Sequence, residues 1–338
     1  MRQVWISKAG NPEVLKVRES ADPEPGENEV VISVKAAGVN FADIMARKGI
    51  YPDAPKLPCV VGYEVAGVIA ATGKEVTAWQ SGQHVIALTR FGGYSEKVKA
   101  AASQIFAKPQ ALSFAEAAAV PVNYLTAYQL LVVMGALRPG ETVLIQNAGG
   151  GVGLAALDLA KKIGALTIGT ASAGKHAFLR ERGLHHAIDY RTQDWQKAVR
   201  ELTQGRGVEL AIDPIGGKTW KQNYKALRHT GRLGMFGIST ASTAGSNSKL
   251  GLIKMIAQMP WFNPITLMNG NKSVFGVNLG HLWHEGEKVR EWMNAILDGV
   301  QAGWVRPHVD RIFLFDQAPS AHAHLEARKN IGKVMLAP

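Results

Sequence analysis

The segment Ala148-Gly149-Gly150-Gly151-Val152-Gly153 has the spacing of a dinucleotide fingerprint, with Ala in the first glycine position. Small residues are needed there because a pyrophosphate must come within hydrogen-bonding distance of backbone N–H groups at a helix start, where the peptide dipoles favour negative charge. A side chain would block that approach. The competing reading is a turn that only packs helix against strand. The flanks favour the fingerprint: residues 142–146 are a short apolar run of strand formers, and apolar residues recur at helical spacing over 154–163.

Cofactor choice is read at the end of the next strand, 166–171. Enzymes that use NAD carry an acidic residue there, about 20 residues past the glycines, to bond the ribose 2′-hydroxyl. This chain has Ala171 and Ser172, followed by Lys175 and His176. No carboxylate repels a 2′-phosphate, and a hydroxyl and a cation are available to hold one. The expected cofactor is therefore NADPH, against the plainer reading of Lys175 as a solvated lysine at a helix start.

The elements that must position this loop come from a chain of 338 residues, 46% hydrophobic and 19% charged, which is enough for one large or two medium domains with real cores. The first ten residues have no apolar signal region, and the single cysteine, Cys59, excludes an internal disulfide; both point to a cytoplasmic, reducing setting. The longest uncharged run, 117–137, is interrupted by Pro121, Asn123, Thr126, Gln129 and Gly135, which argues for buried helices over a membrane span. The net charge of +11 attracts anionic ligands, but its Lys and Arg are scattered. No dedicated nucleic-acid surface is expected, while peripheral contact with a membrane stays open.

Residues 1–110 read as a β-rich unit. Val30, Ile32 and Val34 alternate after the Pro25-Gly26 turn, and further strand-like runs lie at 65–70, 84–88 and 94–98. Ser113-Phe114-Ala115-Glu116 is a capping box that opens a helix interrupted at Pro121, and a second helix is expected over 122–134. Beyond the fingerprint, strands at 186–189, 209–213, 232–238 and 273–279 alternate with helices at 175–182, 194–204, 218–228 and 286–299, the pattern of a doubly wound parallel sheet. Residues 240–272 read as a mobile loop followed by an amphipathic or partly buried helix. The end, strand 309–315, helix 318–328 and strand 333–336, is too short to stand alone and is expected to return to the N-terminal unit.

The stretches Asn40-Phe41-Ala42-Asp43-Ile44-Met45-Ala46-Arg47 with Gly49-Ile50-Tyr51, Val122-Asn123-Tyr124-Leu125-Thr126-Ala127-Tyr128, Asp213-Pro214-Ile215-Gly216-Gly217 and Lys329-Asn330-Ile331-Gly332-Lys333-Val334 occur in an order and spacing that resemble the medium-chain dehydrogenase/reductase superfamily over the entire chain. The specific resemblance is to its zinc-free quinone-oxidoreductase branch, in the subgroup named after the synaptic vesicle membrane protein homologue. It implies an α/β fold in which a doubly wound Rossmann domain, 122–280, is inserted in a discontinuous β-rich GroES-like domain, 1–121 plus 281–338.

Zinc members of the superfamily hold a catalytic metal with cysteines and a histidine in a Gly-His-Glu segment. Here that segment is Gly62-Tyr63-Glu64, and Asn40 stands where the first cysteine would be. His281 and His284 have helical spacing but no third ligand nearby, and His322 and His324 fall on different helix faces, so no metal is expected. Without a Lewis acid the acceptor must activate itself, as a quinone or an α,β-unsaturated carbonyl does by placing charge on a stabilised oxygen.

The resemblance places Asn40 and Thr126 beside the nicotinamide and its ribose, and Tyr51 on the lip of the substrate cleft. Tyr63 is this chain's own variation, read either as a donor to the substrate oxygen or as a space filler. For the cofactor, the resemblance supports Ser172, Lys175 and Tyr190 at the 2′-phosphate; Gly149, Gly150, Gly151 and Val152 at the pyrophosphate; Phe236, Gly237 and Ile238 at the end of the fifth strand; and Phe275, Gly276 and Val277 facing the nicotinamide amide. Lys333 is expected to reach the cofactor from the tail. A homodimer formed through the sixth strand is implied as well. The reading is thus an NADPH-dependent reductase of quinones or enones; the alternative is an NADPH-binding interaction or regulatory protein with little turnover that contacts nucleic acid or membrane.

Overall fold

The computed structural model describes residues 1–243 and 259–338, which divide into two compact units. The first unit comprises residues 1–125, 280–303 and 307–338; the second comprises 126–279 and 304–306.

In the first unit, β1 (Arg2–Ile6) and β2 (Leu15–Glu19) form an antiparallel ribbon. The sheet that follows is built on β3 (Glu29–Val39), β4 (Glu64–Thr72), β5 (His84–Leu88), β6 (Lys97–Ala101) and β7 (Ile105–Ala107), all paired antiparallel. Helix α1 (Phe41–Arg47) leaves β3 directly, and α2 (Phe114–Ala118) starts at Ser113, whose hydroxyl accepts from the Glu116 N–H at 3.2 Å. Val30, Ile32 and Val34 are buried as the alternation in β3 expects, with Ser33 half-buried and Lys35 exposed; Val31 is buried as well, next to a register shift and in a strand on which α2 packs. The strand expected at 94–98 begins only at Lys97; Tyr94 and Ser95 instead meet β1, and the Tyr94 phenol is drawn inward to Asp43.

Helix α3 (Pro121–Tyr128) begins at the proline, whose missing N–H costs nothing in a first turn, and widens into a π turn over Gln129–Val133 where one regular helix was expected.

The second unit holds a six-stranded, wholly parallel sheet: β8 (Thr142–Ile145), β9 (Leu166–Thr170), β10 (His186–Ile188), β11 (Val208–Asp213), β12 (Leu227–Met235) and β13 (Ser273–Gly276). Their order is β10-β9-β8-β11-β12-β13. The order reverses beside β8, and such a switch point is where doubly wound sheets bind ligands. Helices α4 (Gly151–Ile163), α5 (His176–Arg182), α6 (Trp195–Leu202) and α7 (Lys218–Ala226) connect the strands.

Asp194 caps α6 by accepting from Gln196 and Lys197 N–H groups, as its position predicts. Strand β12 starts at Leu227, earlier than expected, because the chain turns at Thr230 (φ 68°) and pairs Leu227 with Val208 before a register shift. It ends at Met235, and β13 ends at Gly276, so the expected strands through 238 and 279 are shorter. Of the stretch 240–272, the structure describes a short helix at Thr240–Thr243 and another at Pro264–Gly270; residues 244–258 of the expected loop and helix lie outside the described residues.

The chain then returns to the first unit. Strands β14 (Val309–Leu314) and β15 (Lys333–Ala337) are parallel to each other, and β15 pairs antiparallel with β3, Met335 opposite Gly38. One core, including Ile32, Val34, Val65, Val85, Phe315 and Leu336, therefore joins the two ends of the sequence. Each such side chain contributes about 1.5–3 kcal/mol of transfer free energy.

Candidate cofactor and substrate sites

The fingerprint loop leaves β8 through Gln146 and Asn147 (φ 56°), and Gly150 precedes α4, so the amide-rich helix start faces the loop. A Cβ on Gly153 would fall 2.5 Å from the Ala148 carbonyl oxygen, and one on Gly149 would fall 2.8 Å from Cδ of Lys175. The first of these glycines lets helix and strand meet. The second leaves a bare backbone with a lysine stem lying across it, a cradle suited to a phosphate and one that a side chain would fill.

A buried amide chain holds the loop's base. The Asn223 amide donates to Asp213 at 2.7 Å, Gln146 donates to Asn223 at 2.9 Å, and the Thr170 hydroxyl donates to Gln146 at 2.7 Å while accepting from the Asn147 N–H at 3.2 Å. These bonds tie together the ends of β8, β9 and β11. Burial pushes the Asp213 carboxyl up from its usual range, against the pull of donors including the Ile215 and Gly216 N–H groups.

Ser172 opens a short turn at Ala173–Lys175, which carries Lys175 back over the glycines. Asp189, the nearest carboxylate in this stretch, is engaged with backbone: it accepts from the N–H groups of Ala173 at 3.3 Å and Arg191 at 3.0 Å. Tyr190 is 38% exposed, and the Arg191 guanidinium lies 5.9 Å from its ring centre. Phe236, Gly237 and Ile238 follow β12, where the Phe236 N–H bonds the Asp213 carbonyl and Gly237 lies against Pro214. Phe275 crosses the face of Gly234, Gly276 closes β13, and the Val277 N–H bonds the Met235 carbonyl. Thr126 lies on α3 and is 8% exposed.

In the first unit, Asn40 sits at the turn between β3 and α1. Its backbone N–H donates to Asp43 Oδ2 at 2.8 Å, and its side-chain Nδ2 donates to Glu64 Oε1 at 3.1 Å. Lys333, expected to reach the cofactor from the tail, has a side chain that is 3% exposed; its ammonium donates to Asn40 Oδ1 at 2.6 Å and pairs with Glu64. The second Glu64 oxygen accepts from the Val122 N–H at 2.7 Å, at the start of α3.

Tyr63 is 9% exposed, and its hydroxyl has no hydrogen-bond partner among the described residues. Its ring meets Tyr51 edge-on at 6.3 Å and Phe91 at 5.4 Å. Burial raises both phenols above the usual tyrosine range, so each remains a proton donor.

Family models match both parts of the chain: an alcohol dehydrogenase GroES-like domain over residues 26–129 and a zinc-binding dehydrogenase over 151–295. The chain is 39% identical over 337 residues to the synaptic vesicle membrane protein VAT-1 homolog of Danio rerio, spanning 99% of this chain and 69% of that protein. It is 33% identical over 339 residues to a quinone oxidoreductase of Pseudomonas aeruginosa, spanning 100% and 99%. The crystal structure of Escherichia coli quinone oxidoreductase complexed with NADPH covers 100% of both chains with a TM-score of 0.89 and 30% identity. The chain belongs to the medium-chain dehydrogenase/reductase superfamily, in the quinone-oxidoreductase branch near the VAT-1 homologues.

One family description names zinc, and the side chains of this chain offer it few donors. Among the described residues no three His, Cys, Asp or Glu side chains gather where they could hold an ion. The resemblance puts Asn40 and Tyr63 at the ligand positions of zinc members, and the Lys333 ammonium lies against Asn40 and Glu64. His281 instead meets Asp53 and His324 meets Asp310, each at one carboxylate. Among the described residues no helix is long and apolar enough to cross a membrane.

Glu64, Asp43, Arg191 and the Asn223–Asp213 pair are the residues that sequence reasoning missed. Glu64, Asp43 and Asp213 lie in segments that carry the resemblance, through Gly62-Tyr63-Glu64, the stretch after Asn40 and the stretch before Gly216, whereas Arg191 and Asn223 carried no signal.

Proposed function

We propose that this medium-chain reductase uses NADPH, without zinc, to reduce quinones or α,β-unsaturated carbonyls. The observation that carries the reading is the cradle: bare glycine backbone at a helix start on the switch point, crossed by Lys175, with the Asp189 carboxylate beside Ser172 engaged by backbone N–H groups. NADPH, when bound, supplies a hydride. Gly149, Gly150, Gly151 and Val152 take the pyrophosphate, and Ser172, Lys175 and Tyr190 take the 2′-phosphate. The resemblance supports Phe275, Gly276 and Val277 toward the nicotinamide amide, Phe236, Gly237 and Ile238 at the end of the fifth strand, and Asn40 and Thr126 as residues beside the nicotinamide and its ribose.

A conjugated acceptor delocalises the incoming electron pair onto its own oxygen, so the chain need only orient it and offer a hydrogen-bond donor. Tyr51 and Tyr63 supply phenols for that role, and water returns the proton. The substrate is a small molecule, the working form a homodimer and the setting cytoplasmic.

Stopped-flow oxidation of bound NADPH by a panel of quinones and enones, with chelator present and zinc content measured on the same sample, tests the proposal. Turnover without stoichiometric zinc is expected. Tight NADPH binding with inertness across the panel would favour the interaction protein, and chelator-sensitive turnover restored by zinc would overturn the metal-free reading.

A further inference from the structure

An asparagine amide is nearly symmetric in shape but not in chemistry, so its partners decide which end faces where. At Asn40 they decide it fully. An ammonium only donates, so Lys333 at 2.6 Å requires the oxygen; a carboxylate only accepts, so Glu64 at 3.1 Å requires the nitrogen. Rotating the amide by half a turn would set its N–H groups against the ammonium and its oxygen against the carboxylate, two repulsive contacts in a nearly dry place.

The second Nδ2 hydrogen reaches only the Gly38 carbonyl, at 3.5 Å, which leaves it as the least engaged donor of the group. Room for the arrangement is provided by Gly38: a Cβ there would fall 2.4 Å from Glu64 Oε1 and 2.7 Å from Cε of Lys333. The ion pair therefore lies directly across β3, where β15 and β4 flank it.

We infer that Lys333 and Glu64 are positioning residues that lock the Asn40 amide in one sense, presenting its second N–H to an oxygen of the bound cofactor or acceptor. The inference rests on the reductase reading for its catalytic consequence, although the lock itself is a property of the free protein. The contact between Lys333 and Asn40 also polarises the amide, which strengthens the N–H that remains.

The test uses the double variant Lys333→Met/Glu64→Gln, which removes both charges and so leaves neither buried alone. The glutamine amide introduced by Glu64→Gln can donate or accept, so the Asn40 amide is free to turn. Turnover with a quinone is expected to fall on the order of tenfold, and NADPH affinity, read by its fluorescence on the same sample, assigns the loss to the cofactor where it falls in step and to the acceptor where it holds. Adding Asn40→Ala to the double variant should cost little more, because all three changes remove one function. Lys333→Arg, which keeps the donor, should retain most of the turnover of the natural protein.

A second readout needs no activity. The Asn40 side-chain amide protons, assigned by their loss in Asn40→Ala, should exchange with solvent about tenfold faster in the double variant than in the natural protein. Unchanged exchange, or losses in turnover that multiply across the cycle, would overturn the lock. A natural protein that turns over no acceptor while its amide is protected would refute the reductase reading and leave the lock standing.

Discussion

Lys175 is the side chain on which cofactor choice turns. Its stem lies across Gly149, so its charge stands over the fingerprint backbone. Lys175→Ala should weaken NADPH by about 1–3 kcal/mol, the scale of a charge-assisted hydrogen bond, and leave NADH nearly unchanged. Equal losses for both cofactors, measured by fluorescence titration, would remove Lys175 from the 2′-phosphate. Tyr63 gives a prediction with two signs. Its buried hydroxyl lacks a partner among the described residues, which costs the native state about 1–3 kcal/mol of desolvation. Tyr63→Phe should therefore be at least as stable as the natural chain in urea, while turnover falls by up to about 10²-fold if the phenol serves the substrate oxygen. A variant both stable and fully active would make Tyr63 a space filler.

Where α1 meets the helix Ala318–Glu326, two buried titrating groups share one hydroxyl. Tyr94 donates to Asp43 at 2.9 Å and lies 3.3 Å from His322 Nε2. Burial drives the Asp43 carboxyl up from 3.8 to about 7, opposed by the Asn40 and Gly62 N–H groups, the Tyr94 hydroxyl and Lys333. Burial, with Arg47 nearby, drives His322 down from 6.5 to about 3. Between 3.8 and 6.5 the native Asp43 keeps a proton that the unfolded chain releases, while the native His322 lacks one that the unfolded chain takes up.

Their effects on stability have opposite slopes and cancel in that window. His322→Gln should expose the Asp43 slope, with stability falling as pH rises toward about 7. Asp43→Asn should expose the His322 slope, with stability full above 6.5 and lost as pH falls toward about 3. Each slope is at most about 1.4 kcal/mol per pH unit. Urea melts of both variants across this range provide the check, and parallel profiles for the two would refute the pairing.

What could be read in advance follows from range along the chain. The fingerprint, the Ser113 and Asp194 caps and the alternation of strand and helix are local patterns, and the structure carries them. The inward turn of Lys333 was not legible, because its partners Asn40 and Glu64 lie at the far end of the sequence and meet it only through β15 and β3. The start of β12 was missed for a smaller reason: the helix was expected to run to 228, yet the chain enters the strand at Leu227 and passes Thr230 (φ 68°) with an irregularity in its pairing.

At the scale of the molecule, β13 ends the parallel sheet, and beside it in sequence Trp261, Ile265 and Met268 are 96%, 70% and 73% exposed. Among the described residues β13 has no neighbour on its outer side, and an edge strand with apolar side chains at hand suits pairing with a second copy. The chain should sediment as a dimer, and Ile265→Glu/Met268→Glu should shift it toward monomer with cofactor affinity retained; a dimer unmoved by the pair would place the contact elsewhere. The closure of β15 on β3 bears on how the protein is made. A ribosome releases β3 long before it has synthesised β15, whereas the strands of the parallel sheet emerge as one uninterrupted run. The edge of β3 therefore stays without its neighbour until the whole parallel sheet has been synthesised, and the sheet begun first is the later of the two to be completed.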